Sequence, residues 1–268
     1  MRKGAECRLE GEKGVILYFY LEEGSKAKKN RFSAVKLPEY LTDLGETIVC
    51  FCPVPEYYVG KKGWKEEKLK ELMRQKLLKA GEVSWYIQPE LAGRLELCEK
   101  LPPLFLLQKV LRQNGCWENL VYIGNDEEPE DSFGEDHFRE NGAELLFSLL
   151  QEYLKRINHF TVITSKPQEY EKFAEYIYEE YGIPTAYEQR LRKGMGGEKK
   201  TVVLDGCRGN KPCCSALPKN ASYFDFWSEK EKQSNIEAMR RDVNYLGVVK
   251  FLDTIVKNGY NTIVNWTF

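Results

Sequence analysis

Histidine is nearly missing from this chain: two residues, His137 and His159, in 268. They stand 22 positions apart and share no motif, so neither a Ser-His-Asp nor a Cys-His catalytic set can be assembled from the sequence. Net charge is nearly missing too. Forty basic against forty-one acidic side chains leave −1, so no global field recruits nucleic acid or an acidic lipid surface. No apolar run approaches the roughly 20 residues of a membrane span, and the opening stretch MRKGAECRLEGEKG lacks an apolar signal core. These absences set the expectation of a cytoplasmic protein with no membrane and no nucleic-acid partner.

Eight cysteines are present but form no compact disulfide framework. Cys207, Cys213 and Cys214 bring three thiols within eight residues, yet the spacing Cys207-x₅-Cys213-Cys214 does not match the paired C-x₂₋₄-C pattern of a zinc site. No metal site is expected. With Arg208 and Lys211 close after it in the chain, a thiol at Cys207 would have its pKa lowered, which makes it a candidate nucleophile or redox group beside the plainer reading of a turn with incidental cysteines.

The apolar pattern carries an architecture. Residues 120–124 form a short apolar run that stops at Gly-Asn-Asp, as a buried parallel strand does. Leu145, Leu146, Leu149, Leu150, Tyr153, Leu154 and Ile157 then fall at helical spacing. Phe160 to Thr164 reads as a second strand. Ser165 with Gln168 reads as a capping box, with Pro167 in the first turn of a helix whose stripe is Tyr170, Phe173, Ala174, Ile177, Tyr178 and Tyr181 and whose stop is Gly182. Strands from Ile183 and from Thr201 to Asp205 follow. Two successive strand-helix-strand crossovers give a parallel sheet.

Before this lies a smaller α/β unit. Strands are expected at 14–21, 47–53 and 83–87, with a helix from Trp64 to Ala80. That helix carries Lys65, Lys68, Lys70, Arg74, Lys76 and Lys79, but Glu66, Glu67 and Glu71 sit among them at pairing distance, as on an ordinary solvated face. Two further helices are expected between Pro89 and Asn114, interrupted at Leu101-Pro102-Pro103. After the parallel unit come a strand at 221–227, a capping box of Ser228 and Glu231 opening a helix, an apolar helix containing Leu246, Val249 and Leu252, and a last strand at 262–268. The expected fold class is α/β: a Rossmann-like, mainly parallel sheet flanked by helices, with a smaller N-terminal α/β domain. The expected boundary gives a small domain at 1–100 and the Rossmann-like domain at 101–268.

In its order of elements, residues 117–227 resemble the Rossmann-fold superfamily, especially the shorter version in shikimate- and amino-acid-dehydrogenase domains. The resemblance implies a dinucleotide at the first strand-to-helix turn, held by G-x-G-x-x-G. Here the chain departs from the pattern. After Gly124 it runs through residues 125–136, of which seven are carboxylates and none is basic. At an effective dielectric of about 20, one unscreened carboxylate about 4 Å from a phosphate charge opposes binding by roughly 4 kcal/mol. At the end of the second strand, where NAD users carry an acid for the ribose, stand Thr164, Ser165 and Lys166. Lys166 could receive a 2′-phosphate, as in NADP users, or be a solvated lysine.

The carboxyl ends of parallel strands are where such sheets bind ligands. The ligand-binding candidates are therefore Gly124, Asn125, Asp126, Thr164, Ser165, Gly206 and Asp225, and the catalytic candidates are Asp205, Cys207 and His137. No cofactor is assigned. Two functions fit: a binding or interaction module without standard dinucleotide chemistry, or an enzyme on a small polar metabolite at the strand ends, with NADP as its optional cofactor. The partners to consider are a small-molecule ligand and a second copy of the chain. The acidic loop 125–139 reads equally as a lid, a partner site or a disordered insert.

Overall fold

A computed structural model describes residues 14–24, 37–59, 63–80, 83–115, 117–124, 142–195, 200–209 and 213–259. They divide into two compact units, one drawn from Met1–Lys100 and Ile255–Phe268, the other from Leu101–Thr254.

The first unit is built on β1 (Gly14–Glu22), β2 (Tyr40–Asp43), β3 (Thr47–Pro55), α1 (Trp64–Ala80), β4 (Ser84–Ile87) and α2 (Pro89–Arg94). Its sheet runs β2-β3-β1-β4, with β1 parallel to both β3 and β4 and β2 antiparallel on the edge. The short β2 is absent from the sequence reading, because YLTD offers only four residues. It is fixed by its turn, where Asp43 Oδ1 accepts the Gly45 amide at 2.8 Å and Gly45 takes φ +97°. On one face, Leu17, Phe19 and Leu21 lie beside Cys50, Cys52 and Val54, as the two-residue strand period requires, and pack against Leu69 and Met73 of α1 and Leu91 of α2. On α1, Lys70 pairs with Glu66 at 3.2 Å and Lys76 pairs with Glu39, so part of the helix's positive charge is neutralised.

The second unit follows α3 (Leu104–Gln113). It comprises β5 (Asn119–Ile123), α4 (Gly142–Leu150), β6 (His159–Ile163), α5 (Glu171–Tyr181), β7 (Thr185–Glu188), β8 (Thr201–Asp205), β9 (Ser222–Asp225), α6 (Lys230–Met239), β10 (Asn244–Gly247) and the start of α7 (Val248–Asn258). Every strand pairing is parallel, and the order is β10-β9-β8-β5-β6-β7. Counting β5 as first, this is the doubly wound order 3-2-1-4-5-6, with its reversal between β5 and β8. Helices cover both faces. Val121, Ile163, Val203, Tyr223 and Tyr245 meet Ile236 of α6 on one, and Phe160 meets Phe173 of α5 edge-to-face at 5.7 Å on the other. The Rossmann-like reading of this stretch therefore holds in three dimensions.

Several local expectations change. The single helix expected over 145–157 stops at Leu150, and a separate 3₁₀ turn spans Leu154–Arg156. Ser165 and Gln168 do not cap α5. Pro167–Glu169 form a 3₁₀ turn, Thr164 Oγ1 accepts the Lys166 amide at 2.9 Å, and the helix starts at Glu171. Gly182 does stop it, in the left-handed conformation at φ +67°. Leu246 belongs to β10 rather than to the apolar helix, which begins at Val248. Ser228 and Glu231 form no capping box either: Ser228 Oγ accepts the amides of Val248 at 2.8 Å and Val249 at 3.4 Å, capping α7, which lies twenty residues on. The expected strand at 262–268 lies outside the described residues.

Candidate functional site

Three neighbouring strands, β8, β9 and β10, end together, and two of them end in aspartate. Asp205 and Asp225 stand opposite each other in register, 2% and 0% exposed. Two ionised carboxylates there would each lose hydration worth several kcal/mol, so the fold must supply donors and a counter-charge. It supplies both.

Asp205 Oδ1 accepts the Cys207 amide at 2.9 Å, and its Oδ2 accepts the Tyr223 hydroxyl. Asp225 accepts the amides of Trp227 at 3.1 Å and Glu229 at 2.7 Å, and the Tyr245 hydroxyl at 3.0 Å. Glu229 is the residue just before α6, so Asp225 fastens the chain where that helix begins. The counter-charge is Lys232 from α6, 2% exposed. Its Nζ lies 3.0 Å from Asp205 Oδ2, 3.5 Å from Asp225 Oδ1 and 3.4 Å from Glu229 Oε2, and it donates to the Cys207 carbonyl.

The protonation states follow from this packing. Burial raises the Asp225 carboxyl to about 6, Lys232 pulls against that rise and Asp205 adds to it. Burial alone would lower Lys232, but Asp205 and Asp225 outweigh it and hold the ammonium above its ordinary value. Burial, then Asp205, pushes the Tyr223 hydroxyl well up, which keeps it a donor.

The segment after β8 is fastened from several sides. Trp227 Nε1 donates to the Gly206 carbonyl at 2.9 Å, the Gly209 amide donates to Glu229 Oε1 at 2.7 Å, and the Arg208 guanidinium lies over the Trp227 ring at 5.4 Å. Cys207 is buried, and its thiol donates to the Gly124 carbonyl at 3.0 Å. That bond joins β8 to β5 across the reversal point of the sheet. Behind it, Tyr122 and Tyr170 meet edge-to-face at 5.7 Å. A Cβ added at Gly124 would lie 2.7 Å from Tyr170 Oη, and one at Gly206 would lie 2.8 Å from Tyr122 Oη, so both glycines permit close approach of a tyrosine.

Of the residues singled out from the sequence, Gly124, Asp205, Gly206, Cys207 and Asp225 meet in this assembly. Thr164 and Ser165 follow β6, where Thr164 continues the ladder by donating its amide to Glu188. Asn125, Asp126 and His137 lie outside the described residues, as does the acidic loop. Among the described residues no group of histidines, cysteines and carboxylates forms a metal site. Lys232, Tyr223 and Tyr245 were missed. A signal for the lysine existed: the sequence of α6, KEKQSNIEAM, places Lys232 four residues before Ile236, its one strongly apolar buried residue, and hence on the same face.

Fold and site together define the second unit as a Rossmann-like α/β domain whose strand ends are closed by an internal ion cluster. The chain matches no family model, and a comparison with curated proteins also finds no match. Among solved structures it is similar to the ligand-free 5-ketofructose reductase of Gluconobacter sp. strain CHM43, with 9% identity over 90% of each chain and a TM-score of 0.39.

Proposed function

We propose that this chain is a binding module that seats a small polar ligand or a partner surface at the carboxyl ends of its parallel strands, without standard dinucleotide chemistry. The observation that carries this reading is the bond from the Cys207 thiol to the Gly124 carbonyl. In doubly wound sheets the dinucleotide enters where the strand order reverses. Here the two lips of that reversal are tied to each other, and Tyr170 Oη occupies the space above Gly124. The seven carboxylates of residues 125–136 add a charge argument in the same direction.

The catalytic candidates support the same reading. Asp205 and Cys207 have their polar atoms committed to internal partners, which leaves little freedom for proton transfer. Among the described residues Cys50, Cys52, Cys98, Cys207, Cys213 and Cys214 are joined in no disulfide, and a reducing, cytoplasmic compartment is the location this reading carries. No helix among the described residues is long and apolar enough to cross a membrane.

Thermal denaturation against NADPH, NADH, mononucleotides and divalent cations tests the proposal. A ligand at 100 times its Kd adds about 2.7 kcal/mol of stability, so a true cofactor is easily seen. NADPH and NADH are expected to leave the midpoint unchanged, and a clear rise with either would overturn the reading. One observation favours the alternative, an enzyme on a small polar metabolite: a buried ammonium between two carboxylates at strand ends resembles acid-base machinery. That alternative requires turnover of some small polar metabolite, with or without NADPH, lost in Lys232→Met while the protein stays folded.

A further inference from the structure

The charges buried at the strand ends do not balance. Asp205 and Asp225 are each sealed from water, and Lys232 brings a single positive charge between them. The groups facing Asp225 can be named element by element. Asp205 comes from β8, Tyr223 from its own strand β9, Tyr245 from β10 and Lys232 from α6. Glu229 comes from the turn before α6, and the Trp227 amide completes the shell. Lys250 of α7 stands further out, with its Nζ on the Tyr245 carbonyl at 3.2 Å and 5.7 Å from the centre of that ring. Glu229 is partly exposed and adds negative charge rather than removing it. With every acid ionised, one ammonium therefore serves three carboxylates.

We propose that this cluster is a proton-binding site: Asp225, held beside Asp205 and Lys232, takes up one proton in the folded protein in mildly acid solution, so acidification stabilises the second unit. The geometry allows it without repacking. The Tyr245 hydroxyl, which donates to Asp225 Oδ2 at 3.0 Å, can rotate and accept from a protonated carboxyl at the same distance. Lys232 then remains paired with Asp205, to which it is closer.

The sign follows from linkage. Asp225 is raised in the folded state to about 6 from an ordinary value of 3.8. Between those values the native protein holds more protons than the unfolded chain, so stability rises as pH falls through about 6 and levels off below about 4. Most surface carboxylates act in the opposite sense.

The experiment measures the folding equilibrium constant of the full chain and of Asp225→Asn by denaturant titration between pH 7.5 and 5. Relative to the variant, the wild type is expected to gain about tenfold between pH 7 and pH 5. A flat ratio, or a loss on acidification, would overturn the proposal. Should Asp225→Asn fail to fold, carbon-detected NMR titration of the wild-type aspartate carboxyls decides the question. One buried aspartate with a midpoint within a unit of 6 supports the site, and all midpoints below 4.5 refute it.

Discussion

The two sheets of this chain end in different chemistry. In the first unit, the carboxyl ends of β1 and β3 run out to the surface, where Glu56 accepts from the Gly24 amide at 3.2 Å and pairs with Arg94 at 3.2 Å, and Arg94 also holds Glu90 at 2.7 Å. Arg94 and Glu56 are each about two-fifths exposed, 39% and 43%. In the second unit the same topological position carries Asp205, Asp225 and Lys232, all within 3% of complete burial. Both sets are acids paired with a base. Water screens the first, so its pairs contribute little, whereas the second works in a medium where an unpartnered charge costs several kcal/mol. Location, more than pairing, decides which of the two matters for stability.

That contrast can be broken most sharply at Lys232. Lys232→Met leaves two buried carboxylates without a counter-charge and is expected to cost about 3–5 kcal/mol in denaturant titration at pH 7. The triple change Asp205→Asn, Asp225→Asn, Lys232→Met should recover most of that loss, because no charge is then left buried; a triple variant as unstable as the single one would show that packing, not charge, dominates. In the first unit the comparable effect comes from the apolar core. Leu69→Ala, at a fully buried position against β1 and β3, is expected to cost about 3 kcal/mol. Gly206→Ala forces Tyr122 Oη away from a 2.8 Å approach and should cost about 1–2 kcal/mol, reduced in Tyr122→Phe. The smallest effect is expected at Arg94→Met, which should leave the denaturation midpoint unchanged within error at physiological salt.

How much of this was legible in the sequence depends on what each residue answers to. Strands β5, β6 and β8 were readable because Leu120–Ile123, Phe160–Ile163 and Val202–Leu204 are short, largely apolar and largely buried runs, and their parallel pairing followed from the crossovers. Gly182 was readable because its left-handed φ is a local demand. The capping boxes misled for the opposite reason. Ser228 satisfies the local pattern with Glu231, but its hydroxyl is taken by the amides of α7, and Asp225 accepts the Glu229 amide just before α6. β10 was hidden because NYLG runs straight into the apolar helix with no turn residue between them.

The candidate site was half legible. Aspartates ending two successive strands pointed to Asp205 and Asp225. Their partner lay in a polar helix, where the pointer to Lys232 was its place four residues before Ile236, and its full burial follows from tertiary packing.

Ser228 has a consequence of its own. It sits at φ +54°, a conformation disfavoured for a residue with a Cβ, and its hydroxyl reaches from the turn after β9 to the first amides of α7. One side chain thereby locks the start of the β9–α6–β10 crossover to the residues that follow its end, so β9, α6, β10 and the first turn of α7 should open as one cooperative segment. In hydrogen exchange the Val248 amide should follow the slow β9 amides rather than those of a fraying helix end.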